Sequence, residues 1–169
     1  MSKNTAQREV EAGLGPLYPR LWRFCLVLTR NRADAADLAQ TTCERALRAA
    51  DSYTPGTALD RWIMTIARRT WLNDIRAGKV RRGAGLVAVE DIALADEKPH
   101  ADVNIFAAQV LNMVEALPEG QREVIYLVSV EGYSYRETAD LLDIPIGTVM
   151  SRLSTARAKL AAQLTDEGQ

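Results

Sequence analysis

The chain has 169 residues, 47% hydrophobic and 25% charged, an ordinary globular composition with room for one domain or two small ones. No apolar run reaches the roughly 18 residues of a membrane span, and the N-terminal Met1-Ser-Lys-Asn-Thr has no apolar signal region, so a cytoplasmic protein without a membrane partner is expected. The formal net charge is −1, which argues against a nucleic-acid binder that works alone, and the single histidine, His100, argues against a His-dependent enzyme or a metal site.

Three helices are predicted in the first half. The first covers about Leu17 to Arg30, with Leu17, Leu21, Trp22, Phe24, Cys25 and Leu28 as its apolar residues. The second opens at Asp34 as N-cap and runs to about Ala50, turning Ala35, Leu38, Ala39, Thr42, Ala46 and Ala49 inward. Asp37, Gln40, Thr41, Glu44 and Arg48 line its opposite side. A turn, Ser52-Tyr-Thr-Pro-Gly, follows. Thr57 is expected to cap a third helix that runs to about Ala77, with Leu59, Trp62, Ile63, Ile66, Ala67 and Thr70 as its buried stripe. Arg61, Thr65, Arg68, Arg69 and Arg76 share one outward arc. Four cations without an acid among them form an unusual solvated face, and phosphate contact is the better reading. Cys25 and Cys43 lack metal-type spacing and are expected as reduced core or boundary thiols.

Gly78, Gly83, Gly85, Pro99 and the acids Glu90, Asp91, Asp96 and Glu97 mark residues 81–104 as a linker. Domains are accordingly expected over 1–80 and 105–169. In the second, a helix from Ile105 to Leu117 stops at Pro118, and another from Glu119 to Glu131 ends at Gly132.

A helix-turn-helix is predicted next. Ser134 and Glu137 form a capping box, so a short helix starts at Tyr135, with Ala139, Leu141 and Leu142 apolar. Pro145 and Gly147 make the turn, and a second helix starts near Thr148 with Val149, Leu153, Ala156, Leu160 and Leu164 in one stripe. Ser151, Ser154, Thr155 and Ala158 face outward, flanked by Arg152 and Lys159 on one side and Met150 and Arg157 on the other. Helix pairs of this kind also occur as plain packing units. Here the small polar face suits close approach to base edges, with the flanking cations reaching phosphates.

Charge is unevenly spread. Residues 1–83 carry a net +7, whereas residues 84–104 and 105–169 carry −4 each. The helix-turn-helix half is acidic, unlike an independent DNA-binding domain. A subunit delivered to DNA by a larger partner is expected.

Taken together, Asp34-Ala-Ala-Asp-Leu-Ala-Gln, Ser52-Tyr-Thr-Pro-Gly-Thr, Trp62-Ile-Met-Thr-Ile-Ala-Arg, Ala116-Leu-Pro-Glu-Gly-Gln-Arg-Glu-Val, Glu131-Gly-Tyr-Ser-Tyr-Arg-Glu-Thr-Ala and Gly147-Thr-Val-Met-Ser-Arg-Leu resemble an extracytoplasmic-function sigma factor of the sigma-70 family. Their order and spacing, from about residue 14 to 164, carry the resemblance. It implies an all-α fold of two small helical domains, region 2 and region 4, joined by a flexible linker. It also implies a dissociable promoter-specificity subunit that is not an enzyme and has no cofactor or small-molecule substrate. Its partners would be core RNA polymerase (the largest-subunit clamp and the flap), promoter DNA and an anti-sigma factor.

By resemblance, Asp37, Gln40, Thr41, Glu44 and Arg48 meet the polymerase clamp, although many family members carry Glu where this chain has Thr41. The turn Tyr53 to Thr57 falls where the family captures a flipped base of the −10 element. Tyr53 would stack there, and Thr54 and Thr57 would hydrogen-bond. Arg61, Arg68, Arg69 and Arg76 would hold the displaced strand, with Arg69 in place of a common Asn. Thr148, Met150, Ser151, Arg152, Thr155 and Arg157 would meet the −35 element. Met150 and Thr155 stand where the family often has basic residues. Gly-Thr-Val-Met-Ser-Arg-Leu and Thr-Pro-Gly-Thr look most like the subgroup serving general stress responses. Two other classes fit parts of the pattern: a sigma-like decoy that sequesters an anti-sigma factor, and a free-standing helix-turn-helix regulator.

Overall fold

The computed structural model describes residues 2–78 and 112–166. The chain divides into two compact units, residues 1–85 and 86–169. The expected linker over 81–104 and most of the helix expected from Ile105 lie outside the described residues. Those that are described are helical or in turns, without a strand among them.

The first unit contains α1 (Ser2–Thr29), α2 (Arg32–Arg48) and α3 (Leu59–Arg76), with a single 3-10 turn, Ala50–Ser52, after α2. Its core is built from Val10, Leu21, Phe24, Cys25 and Leu28 of α1, Ala35, Leu38, Ala39 and Ala46 of α2, and Ile63, Met64, Ala67 and Trp71 of α3. The many alanines on α2 allow the helix axes to approach closely. Thr42 is also buried and spends its hydroxyl on the Leu38 carbonyl one turn back, 2.7 Å away.

Three boundaries differ from the sequence expectation. The first helix begins at Ser2 instead of Leu17 and runs through Gly13, Gly15, Pro16 and Pro19. Each proline removes a helical N–H, yet the stripe that includes Leu21, Phe24 and Leu28 continues back at helical spacing to Val10 and Ala6, both buried. Gly13 lies where a methyl group would run into Leu59 Cδ2, so the absent side chain lets α1 pass close to the start of α3. The cap of α2 is Asn31, whose side chain accepts from Asp34 N, and Asp34 sits in the first turn. Thr57 does not cap α3. The N-cap is Ala58, without a side-chain bond.

The second unit contains α4 (Glu119–Ser129), α5 (Tyr135–Leu142) and α6 (Ile146–Asp166), preceded by helical residues 112–115. Val124, Leu127, Leu142, Val149 and Leu153 form its centre. Two charged residues, Arg122 and Glu123, also lie inside. Arg122 Nη1 donates to the Leu117 carbonyl at 2.9 Å, satisfying an acceptor at the preceding helix end. Gly132 has φ 74 and terminates the α4 segment, as expected of glycine there.

Candidate functional site

Four surfaces bring the candidate residues together. On α2 the buried stripe fixes the helix rotation, so Asp37, Gln40, Glu44 and Arg48 are exposed on one face and Thr41 is half-buried at its edge. At 100° per residue the five span roughly 100° of arc. Glu44 lies between two neighbours on this face. Gln40 Nε2 donates to its Oε1 at 3.5 Å, and Arg48 Nη2 to its Oε2 at 3.3 Å. These are solvent-exposed i,i+4 contacts that contribute little to stability. They leave a polar face of mixed charge, suited to docking rather than to holding the fold.

The turn between α2 and α3 is closed by hydrogen bonds of its own. Thr54-Pro55-Gly56-Thr57 closes with Thr57 N donating to the Thr54 carbonyl at 3.3 Å and Thr57 Oγ1 to the same oxygen at 2.7 Å. Pro55 presets the first central residue and Gly56, at φ 78, supplies the left-handed second one, which are the demands of a type II turn. Thr54 and Thr57 are exposed. Tyr53, expected to offer its ring to a base, is instead 3% exposed. Its ring packs on Trp62 at 5.2 Å between centroids, and its hydroxyl contacts Glu9 Oε1 and the Thr57 carbonyl, each at 2.9 Å. Burial pushes the Tyr53 phenol above its ordinary pKa, and the hydrogen bond to Glu9 adds to that. Stacking on a base is therefore corrected to a buried post under the turn. Trp62, assigned to the core by its spacing, is half-buried, and Trp71, nine residues on, is buried.

On α3 the cationic arc is formed by Arg61 and Arg68, half-buried, and by Arg69 and Arg76, exposed. Thr65 lies among them and returns its hydroxyl to the Arg61 carbonyl at 2.8 Å. Asp60, in the first turn of this helix, is paired with Arg20 of α1 at 3.0 Å.

The helix-turn-helix is built from α5 and α6. Ser134 Oγ accepts from Glu137 N at 3.1 Å and Glu137 Oε2 accepts from Ser134 N at 2.8 Å, so the capping box is present in full. The turn works differently from the expectation. Its left-handed residue is Asp143, at φ 52, while Gly147 is inside α6, which starts at Ile146 after Pro145. Val149, Leu153 and Ala156 are buried, Leu160 is half-buried, and Leu164 is exposed, so the stripe ends one turn early. Ser151, Ser154, Thr155, Ala158 and Arg157 are exposed, with Thr148 half-buried beside them. Met150 is 53% exposed. Thr155 Oγ1 is returned to the Ser151 carbonyl at 3.0 Å. Arg152 is drawn off this face: a methyl built on Gly120 of α4 would lie 2.7 Å from its Nη1 and 2.8 Å from its Cζ. The guanidinium therefore rests on α4, over Gly120.

Sequence reasoning missed Glu9. Its carboxylate reaches the turn from α1, accepting from Tyr53 Oη and from Gly56 N. The buried stripe through Ala6 and Val10 is the signal that would have found the helix carrying it. Among the described residues no group of His, Cys, Asp and Glu is placed to hold a metal ion, and no helix is long and apolar enough to cross a membrane.

Comparison with known proteins covers both units. The family model for sigma-70 region 2 matches residues 15–81, and that for sigma-70 region 4 matches residues 107–160. The ECF RNA polymerase sigma factor EcfG of Rhodopseudomonas palustris is 34% identical over 152 residues, covering 89% of this chain and 82% of that protein. Among solved structures, the sigma factor RpoE of Bartonella quintana, crystallised with the anti-sigma factor NepR, superposes with a TM-score of 0.75 at 26% identity, over 94% of this chain and 98% of that one. CnrH, in complex with the cytosolic domain of CnrY, gives a TM-score of 0.63 at 25% identity, over 98% and 97% of the two chains.

Proposed function

The chain belongs to the extracytoplasmic-function RNA polymerase sigma factors of the sigma-70 family, and from that premise we propose how its surfaces divide the work of promoter-specific initiation. The α2 face of Asp37, Gln40, Thr41, Glu44 and Arg48 docks on the polymerase clamp. The turn with Thr54 and Thr57 receives a base of the −10 element, and the arc of Arg61, Arg68, Arg69 and Arg76 holds the displaced strand. The outward face of α6, with Thr148, Met150, Ser151, Thr155 and Arg157, meets the −35 element, while Arg152 acts there only after leaving Gly120. Catalysis belongs to the polymerase, so this chain is not itself an enzyme, and it works in the cytoplasm on a stress or envelope regulon.

The observation that carries this reading is the presence of both units in family order along one chain. Restraint by an anti-sigma factor follows the same logic, since a similar sigma factor, RpoE, was co-crystallised with an anti-sigma factor. That partner would cover the polymerase and DNA faces.

In-vitro transcription with purified core polymerase is the direct test. Adding the chain is expected to produce defined transcripts from the organism's genomic fragments, and mapping their starts returns both promoter elements. A core enzyme that initiates no differently with the chain than without it would falsify the assignment. A decoy reading is favoured by one observation, the neutral Met150 at a position where the family often has a cation. It predicts tight binding of an anti-sigma factor and no transcript.

A further inference from the structure

We propose that Glu9 is a positioning residue for promoter opening: from α1, its carboxylate sets the shape of the turn that receives the unstacked base. The inference rests on the base-capture role proposed above for residues 54–57.

The geometry starts with the turn itself. Its corner, Gly56 at φ 78, has no neighbouring atom within 4 Å of where a Cβ would lie, so side-chain packing does not hold it in place. Internal bonds fix only one edge, where the Thr54 carbonyl accepts from Thr57 N and Thr57 Oγ1. The other edge is fixed from outside. Glu9 Oε1 and Oε2 each accept from Gly56 N at 3.2 Å, and Oε1 also accepts from Tyr53 Oη at 2.9 Å. Tyr53 Oη in turn lies 2.9 Å from the Thr57 carbonyl. One carboxylate thereby ties the residue before the turn to its left-handed corner.

The helix that carries Glu9 is itself anchored. Ala6 and Val10, on either side of it, are buried, and Gly13 one turn later lies against Leu59 at the start of α3. Glu9 is therefore held at a fixed height above the loop. Thr54 is exposed, and its hydroxyl makes none of these bonds, so it stays accessible to an incoming base. Ordering the loop beforehand removes an entropy cost from base capture. A carboxylate bonded to two donors is a strong brace because charge-assisted hydrogen bonds are the stronger kind.

The test uses holoenzyme assembled from the full chain and core polymerase. The probe is a fluorescent single strand carrying the −10 non-template sequence of a promoter mapped as above, intact or with one abasic residue at each position in turn. The wild type is expected to lose about tenfold in affinity when the captured base is missing, on the scale of one base contact. Glu9→Ala is expected to bind the intact strand roughly tenfold more weakly and to be nearly indifferent to the abasic position. Tyr53→Phe, which keeps the ring and deletes the hydroxyl, moves the same way by a smaller factor. Glu9→Gln retains most of the affinity, since its amide oxygen can accept from the same donors. Affinity for core polymerase is the control that separates positioning from folding, and it stays at the wild-type value in all three.

A Glu9→Ala holoenzyme with wild-type affinity and a wild-type abasic penalty overturns the inference alone. So does a loss of core affinity in parallel with the loss of strand binding, which would reduce Glu9 to a structural brace. A wild type that shows no abasic penalty at any position removes the loop's capture role, and the inference with it.

Discussion

Cys25 shows how a single side chain reports on the packing around it. Its thiol is fully buried, and burial pushes its pKa from 9.0 up to about 12, with the neighbouring Cys43 thiolate adding to the shift. Cys43 is raised as well, first by burial and then by Glu44. At pH 8, iodoacetamide is therefore expected to modify Cys43 slowly and to leave Cys25 untouched until denaturant is added. Rapid alkylation of Cys25 in the native chain would show that the α1–α2 contact opens readily. The same shift has a sign for stability. The folded pKa lies above the unfolded one, so the contribution is complete below pH 9 and is lost as the pH climbs toward 12. The denaturation midpoint should fall over that range, and the fall should be shallower in Cys25→Ala. The buried thiol was legible from helical spacing. The burial of Tyr53 was not, because an aromatic beside a Pro-Gly turn looks identical in sequence whether its ring points out to a ligand or in toward Trp62. Only its contacts with Glu9, distant in sequence, and with Trp62 decide between the two.

At the scale of the element, local signals succeed where the cause of the structure is local. Ser134 and Glu137 specify the start of α5 by reciprocal bonds within one turn, and the sequence pattern is enough to see them. Ser134→Ala removes the oxygen that accepts from Glu137 N, and a loss of about 1 kcal/mol is expected for an N-cap of this type. For a small unit that is a fall of roughly 4–8 °C in its melting temperature. A melt within error of the wild type would mean that tertiary packing alone holds α5. The outer faces of α2 and α6 were legible for a similar reason, since a 3.6-residue stripe fixes the opposite side. Helix ends set by distant contacts were not. The first half of α1 contains Gly13, Gly15, Pro16 and Pro19, and each is a breaker on local grounds. It remains helical because Ala6 and Val10 are buried on one stripe with Leu21 and because Gly13 admits Leu59. Gly147 misled in the opposite direction. Asp143 takes the left-handed position, so the glycine is free to begin α6.

The molecule as a whole is divided by charge, and that division sets how it can meet DNA. Residues 1–83 carry a net +7, and residues 105–169, which include α4 to α6, a net −4. The outward face of α6 is mostly neutral, and of its cations Arg157 and Lys159 are exposed while Arg152 rests on Gly120. Affinity for duplex DNA comes chiefly from neutralised phosphates, with a salt slope of about −0.9 per contact. Two or three such contacts, opposed by the unit's net negative charge, are expected to give binding too weak to select a promoter. The chain alone is therefore expected to produce no sequence-specific shift of its own promoter duplex at about 150 mM salt, whereas the same duplex shifts once core polymerase is added. Binding that emerges only near 50 mM salt should be indifferent to sequence, because it comes from the arginine arc of α3. Met150→Arg supplies one more phosphate contact on α6. It should steepen the holoenzyme's salt dependence by about one contact. A specific footprint by the unaccompanied chain at physiological salt would place the selectivity in this protein alone, and polymerase would no longer be needed to explain its choice of site.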